Sequence, residues 1–281
     1  EWSASLAGNS DATIAVMGIS ALIEGEEGAA IFSDVNGDRS EIDLPKSQVD
    51  YIKTLRDKAG NKPIILVLNS GSALNLTAVE PYVDAILYAW YLGEQGGNAI
   101  ADIIFGDSNP SGKLPITIPK SLSHLPPYDN YNMENRTYKF TNHQPMYPFG
   151  FGLSYSIFSY SDLSIKKDKI NIGDSINLNF EVFNNSEFAG EEIIQVYIKD
   201  INASFRTPNS SLIFFKRIQL NSGEKKKINL VIDDNMMASF NEKGVKEVEP
   251  GNFKIFVGGS SPGVRSKELG KMIKEVSFIV Q

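Results

Sequence analysis

Three carboxylates, Glu24, Glu26 and Glu27, fall within four residues of one another in the run Ile23-Glu24-Gly25-Glu26-Glu27-Gly28. Held that close they repel, and repulsion favours a protonated member near neutral pH. A carboxylic acid that keeps its proton there can donate it to a leaving oxygen as a general acid. The competing reading is a solvated acidic turn, and spacing does not decide between the two. Asn36-Gly37-Asp38-Arg39 follows. Asn-Gly is a turn signal, and an ion pair between Asp38 and Arg39 would pin the same loop.

Other chemistries are poorly provided for. With no cysteine, thiolate nucleophiles, disulfides and Cys-based zinc sites are excluded. The two histidines, His124 and His143, match no metal-ligand spacing, so no metal is expected. Gly93-Glu94-Gln95-Gly96-Gly97 lacks both the G-x-G-x-x-G pattern and the Lys-Ser/Thr of a P-loop, so no nucleotide and no other cofactor is expected. A balance of 27 basic against 34 acidic residues, net −7, argues against nucleic-acid binding, which needs clustered Lys and Arg. Apolar runs such as Ile64 to Leu68 are far shorter than the roughly 20 residues of a membrane span. The opening Glu1-Trp2-Ser3 has no initiator Met and no signal-peptide pattern, and reads as a mature or trimmed terminus.

The elements that must position the acidic run are legible from periodicity. Ala12 to Ile19 and Pro63 to Asn69 read as strands too apolar to have a wet face, which predicts a parallel sheet covered on both sides. Between them Pro45 opens a helix whose Val49, Ile52, Leu55 and Ala59 recur at three and four, and Gly60 stops it. Val83 to Ala89 is a third strand. Ala99, Ile100, Ile103 and Ile104 then form the apolar face of a helix ended by Gly106. Strand and helix in alternation predict a layered α/β domain over residues 1–120.

Residues 121–157 read as an ordered linker rich in Pro, Gly and aromatics, preceded by a strand-like Leu114 to Ile118. Its aromatics, Tyr128, Tyr131, Tyr138, Phe140, Tyr147, Phe149, Phe151 and Tyr155, could stack on sugar faces or fasten the loop to a domain surface, and fastening is expected. From 158 to 281 the helical period disappears. Ile176 to Phe183 alternates strictly, and further strands are expected at Ile193–Lys199, Leu212–Leu220, Lys225–Ile232 and Asn252–Val257. Roughly seven short strands predict an all-β, immunoglobulin-like sandwich. Lys225-Lys226-Lys227 reads as a solvated strand edge.

Taken in order, several motifs resemble one family. They are Glu24-Gly25-Glu26-Glu27 with Gly37-Asp38-Arg39, Leu66-Val67-Leu68-Asn69-Ser70-Gly71, and the run from Ala85 through Trp90-Tyr91-Leu92-Gly93 to Ala99. Phe105 to Pro115, with Ser111-Gly112-Lys113-Leu114-Pro115, and Tyr147 to Tyr155 continue the series. The chain resembles the C-terminal part of a family 3 glycoside hydrolase of the β-glucosidase and β-xylosidase type. Its last part, with Phe215-Lys216-Arg217 and Pro250-Gly251-Asn252-Phe253, resembles the fibronectin-III-like domain carried by many members.

The resemblance implies a retaining, exo-acting β-glycosidase whose aspartate nucleophile sits in an N-terminal (β/α)8 barrel. It places the acid/base role on Glu26, with Glu27 and Glu24 as alternates, and makes Asp38 and Arg39 loop supports. In such a mechanism the two carboxyls lie about 5–5.5 Å apart. A barrel needs roughly 250 residues of its own, so the chain by itself is expected to be inactive and its sandwich domain partial. The implied partners are a β-linked oligosaccharide or glycoside and the barrel portion of the same enzyme, as a separate chain or one removed. A periplasmic or extracellular location agrees with the family's habit of export. The alternative is a non-catalytic binding or scaffold module for a glycan or partner protein.

Overall fold

Three short apolar runs in the first part of the chain form β1 (Thr13–Gly18), β2 (Ile64–Asn69) and β3 (Ala85–Tyr88). They pair in parallel in the order β1-β2-β3. The structure is a computed structural model, and it describes residues 2–24 and 39–281. These residues divide into two compact units, one of Glu1–Ile104 with Ile118–Leu125 and one of Phe105–Thr117 with Pro126–Gln281.

In the first unit, the helix Lys46–Ala59 follows Pro45 and buries Ile52, Leu55 and Ala59, the positions its apolar period marks. Gly60, at φ 60°, ends it by returning its N–H to the Arg56 carbonyl, a conformation that suits glycine. Arg56 then fastens the following turn. Its guanidinium donates to the carbonyls of Tyr82, Gly60 and Lys62 and pairs with Asp84 at 2.5 Å. Asp84 also accepts the Ile64 N–H at 2.7 Å, so the head of β2 is tied to the approach to β3. The Ile64 N–H and then the Arg56 charge hold the Asp84 carboxyl below the ordinary carboxylate range. A second helix, Gly96–Phe105, is closed by Gly106 at φ 85°.

The expectation of a sheet covered on both sides holds for β2 but not for β1. Val67 in β2 has no exposure, whereas Ile14 and Val16 of β1 are 45% and 59% exposed. β1 is an edge strand of this sheet among the described residues, as β3 is, and this face of it is left about half open.

The second unit is mainly β, with short helices at Thr137–Phe140, Asp234–Met237 and Val264–Glu268. β4 (Phe158–Ile165), β6 (Ile176–Asn184) and β9 (Lys225–Ile232) form one antiparallel sheet, with β5 (Lys169–Ile170) between them in sequence. β7 (Gly190–Asp200), β8 (Ser211–Leu220), β12 (Gly251–Gly258) and β13 (Ile273–Val280) join β5 in the other, ordered β5-β13-β12-β7-β8. A two-stranded pair, β10 (Ser239–Phe240) with β11 (Lys246–Glu247), lies apart from both. β6 shows why the sandwich forms: Ile176, Leu178, Phe180 and Val182 all point into the core, and the residues between them do not. Lys225 and Lys227 open β9 and face Glu181 on β6, so this lysine run is a charged edge as expected.

Leu114 to Ile118 is not a strand. Leu114 makes a two-bond bridge, donating to the Phe151 carbonyl and accepting from Gly150 N–H at 2.8 Å each, and Pro115 has no N–H to continue it. The aromatic residues divide. Tyr138 stacks on Phe149 at 4.3 Å and meets Tyr197 edge-on at 6.0 Å, while Tyr147 stacks on Phe151 at 5.7 Å. These fasten the segment, as expected. Tyr128 and Tyr131 do not: they are 90% and 89% exposed. Arg136 shapes the loop that carries them through bonds to the carbonyls of Pro127, Asn130 and Asn132.

Two polar knots bind this segment to the sandwich. Asn109 donates to Ser156 Oγ and the Ala189 carbonyl and accepts from Ser154 Oγ and Tyr155 N–H. Lys113 and Glu192 form a buried ion pair at 3.5 Å, their side chains 6% and 4% exposed. Tyr160 donates to the same carboxylate at 3.1 Å, and Lys113 donates to the Gly152 carbonyl at 3.1 Å. The lysine of the Ser-Gly-Lys-Leu-Pro motif is therefore a buried structural charge.

Candidate functional site

In an open parallel sheet, the loops beyond the carboxyl ends of the strands are where functional groups collect. β1 leaves that end through Gly18 and Ile19 and enters a short helix, Ala21–Glu24. The departure is tightly specified. The Gln48 side chain grips Gly18 from both sides, accepting its N–H at 2.9 Å and donating to its carbonyl at 2.7 Å. Gly18 sits at φ 138°, and a Cβ there would lie 1.8 Å from the Asn69 carbonyl oxygen. That same oxygen accepts the Ile19 N–H at 2.9 Å, so only glycine allows the two strand ends to approach.

Of the site residues expected from sequence, Glu24 and Arg39 are described, and Glu26, Glu27 and Asp38 lie outside the described residues, as does the Asp38–Arg39 pair. Glu24 closes the short helix with its carboxylate beside the Tyr91 hydroxyl, 3.4 Å from where a Cβ on Gly71 would sit. Arg39 donates to the Asp43 carbonyl. Asp43 in turn bridges to Asn75, whose side-chain amide donates to the Asp43 carboxylate at 2.7 Å and whose N–H donates to the Ile42 carbonyl at 2.8 Å. The chain leading into the acidic segment, at Ile19, and the chain leaving it, at Asp43, are thus tied to the carboxyl-end loops of this unit, with the Glu24 carboxylate beside Tyr91. A cavity of about 460 Å³ beside them is lined by Ile23, Arg39 and Asp43 and by Lys46, Val49 and Asp50 of the long helix. Of the two lysines that line it, Lys46 and Lys53, Lys46 is paired with Asp50.

The residues that periodicity did not single out lie at the end of β3. Tyr88 donates to the Ser72 carbonyl at 2.5 Å and accepts the Leu74 N–H at 3.2 Å, ordering the turn after β2. Its ring meets Trp90, centroids 4.6 Å apart. Trp90 has φ 59°, a left-handed conformation that a bulky residue adopts at a strain of about 1–3 kcal/mol. The next residue, Tyr91, reaches back to donate to the Ile19 carbonyl at 3.0 Å. Burial, reinforced for Tyr91 by the Glu24 carboxylate, raises both phenol pKa values, so both stay protonated donors at neutral pH. A sequence signal did exist, since an aromatic pair directly follows a strand's carboxyl end. The left-handed turn that aims Tyr91 carries no sequence signature.

Among the described residues, no group of three or more His, Cys, Asp or Glu is placed to hold a metal ion. No described helix is long and apolar enough to cross a membrane.

Residues 3–155 match the Glycosyl hydrolase family 3 C-terminal domain. The chain belongs to glycosyl hydrolase family 3. Residues 192–261 match the Fibronectin type III-like domain, so the α/β domain of this family is followed here by an Fn3-like one. Among curated family members, the chain is 38% identical over 239 residues to the periplasmic beta-glucosidase of Salmonella typhimurium, covering 81% of this chain and 31% of that protein. A putative beta-xylosidase of Formosa agariphila is 36% identical over 260 residues, covering 91% of this chain and 34% of that one. A solved beta-glucosidase from Erythrobacter marinus superposes with a TM-score of 0.83 at 30% identity, over 100% of this chain and 36% of that one. The chain spans about a third of the length of the relatives it matches.

Proposed function

We propose that this chain supplies the acid/base carboxylate of a retaining, exo-acting β-glycosidase, on Glu26, with Glu27 and then Glu24 as alternates. One observation carries the reading: the chain just before and just after the acidic segment, at Ile19 and at Asp43, is tied at the carboxyl ends of a parallel sheet in a chain of this family. Glu24 is better suited to the stem of that segment, because its carboxylate already lies beside a tyrosine that is bonded to the backbone. Asp38 and Arg39 support the return of the loop, Arg39 through the Asp43 carbonyl.

In the reaction, the protonated carboxyl gives its proton to the glycosidic oxygen as the bond to the anomeric carbon breaks. An aspartate on the barrel portion takes that carbon and forms the glycosyl-enzyme. The carboxylate now left on this chain accepts a proton from water, whose oxygen displaces the aspartate and releases the sugar with retained configuration. The substrate class is a terminal β-linked glucoside or xyloside, following the names of the relatives, and a periplasmic or extracellular setting follows the Salmonella one.

The test is Glu26→Gln in the chain combined with a barrel-bearing portion. Hydrolysis of an alkyl β-glucoside should fall by roughly 10²–10⁴-fold, with a dinitrophenyl glycoside largely spared because its leaving group needs no proton. If Glu27→Gln or Glu24→Gln shows that split instead, the assignment moves to that residue. A second reading, a binding module without chemistry, is favoured by the exposure of Tyr128 and Tyr131 on an arginine-braced loop. Titration of a soluble β-glucan against the chain, with and without Tyr128→Ala and Tyr131→Ala, separates the two.

A further inference from the structure

We infer that Tyr91 is a positioning residue for the acid-bearing segment after β1, a role that rests on the acid/base reading proposed above. Three contacts converge on its side chain. The hydroxyl donates to the carbonyl of Ile19, the first residue beyond β1 and itself buried. The ring lies against Gly71 so closely that a Cβ there would be 2.8 Å from Tyr91 Cε2. The Glu24 carboxylate, at the far end of the short helix, sits beside the same hydroxyl. Tyr91 therefore touches all three carboxyl-end loops: its own after β3, Gly71 after β2, and both ends of the Ile19–Glu24 stem after β1.

The backbone arranges this at some strain. Trp90 is one of four described non-glycine residues with positive φ, and it directly precedes Tyr91. An extended Trp90 would carry the chain straight on from β3, away from the β1 loop. In the left-handed conformation it folds the chain back, and its ring is held on Tyr88, which orders the β2 turn. A half-exposed tyrosine needs no such arrangement for stability. It is what aiming a hydroxyl at the stem of a catalytic segment requires, because small displacements of a proton donor slow transfer steeply.

The decisive variant is Tyr91→Phe, which keeps the ring over Gly71 and removes the hydroxyl, and with it the bond to Ile19 and the contact with the Glu24 carboxylate. In the chain combined with a barrel-bearing portion, kcat on an alkyl β-glucoside should fall roughly tenfold, with KM changed by less than about twofold. The dinitrophenyl glycoside should be nearly unaffected, and the limb of the pH profile that reports the acid should shift. Equal losses on both substrates, or an effect confined to KM, would overturn the role. In the chain alone, amide exchange from Ile19 to Glu24 should speed up in Tyr91→Phe, and unchanged exchange would also overturn it. Glu24→Gln, Glu26→Gln and Glu27→Gln run in parallel tell the two readings apart. If none of them separates the leaving groups, the acid/base reading falls and the Tyr91 role with it. If one does while Tyr91→Phe does not, only the Tyr91 role is lost.

Discussion

Gly18 leaves no room for a side chain. Its Cβ would sit 1.8 Å from a main-chain oxygen that cannot move without separating β1 from β2. Gly18→Ala should destabilise the first unit by about 2–4 kcal/mol, read as a lower urea midpoint. Lys271 makes a different single-residue prediction. Burial and the neighbouring Lys113 charge lower its pKa from 10.5 to about 8, the Glu192 carboxylate opposing them, and its ammonium lies 5.5 Å from the Phe151 ring. Below pH 8 it is charged whether the chain is folded or not, and its charge weighs against folding. From pH 8 to 10 the unfolded chain holds more protons, so stability should rise with pH over that window. Above it, the buried Tyr160 phenol, whose pKa is pushed well up by burial and by Glu192, works in the opposite direction. Lys271→Met should flatten the rise and increase Tm at pH 7 by about 2–4 °C, measured by calorimetry across the pH series.

Among the elements, the joint between the 105–157 segment and the sandwich depends on buried charge. Lys113 comes from a loop, Glu192 from β7, and Tyr160 from β4, and Gly259 allows the carboxylate in because a Cβ there would be 2.3 Å from Glu192 Oε1. Removing one partner strands the other in a dry site. Glu192→Ala should therefore cost about 3–5 kcal/mol, while the double variant Lys113→Met with Glu192→Leu should lie closer to wild type. Denaturant titrations of the single and double variants check this. A double variant as unstable as the single one would show that the joint depends on the charges themselves. The Asn109 knot beside it has all its amide groups engaged, so it sets the register of the 154–156 turn against the start of β7.

For the molecule as a whole, the chain is about a third of its relatives' length and contains two units with separate cores. Under the proposed reading it holds one of two required carboxylates. The chain alone should give no turnover of an aryl β-glucoside, and adding a barrel-bearing portion should restore it. Robust hydrolysis by the chain alone would mean that both groups lie within these 281 residues.

What the sequence determined by itself is whatever depends on near neighbours. The helix at Lys46–Ala59, its stop at Gly60, the apolar strands and the alternation of β6 follow from side-chain period and from glycine's freedom. The ordered series of motifs, read together, was enough to point to the family. The tertiary structure alone decided the contacts between distant residues. Lys113 and Glu192 are 79 positions apart, and Tyr91 and Ile19 are 72 apart. No local pattern announces that Lys113 is buried, that Tyr128 and Tyr131 are left outside while Tyr138 is packed, or that Trp90 turns left-handed. Such outcomes depend on which surfaces remain free once the strands have paired, and pairing brings together residues whose separation along the chain is too long for local propensity to encode.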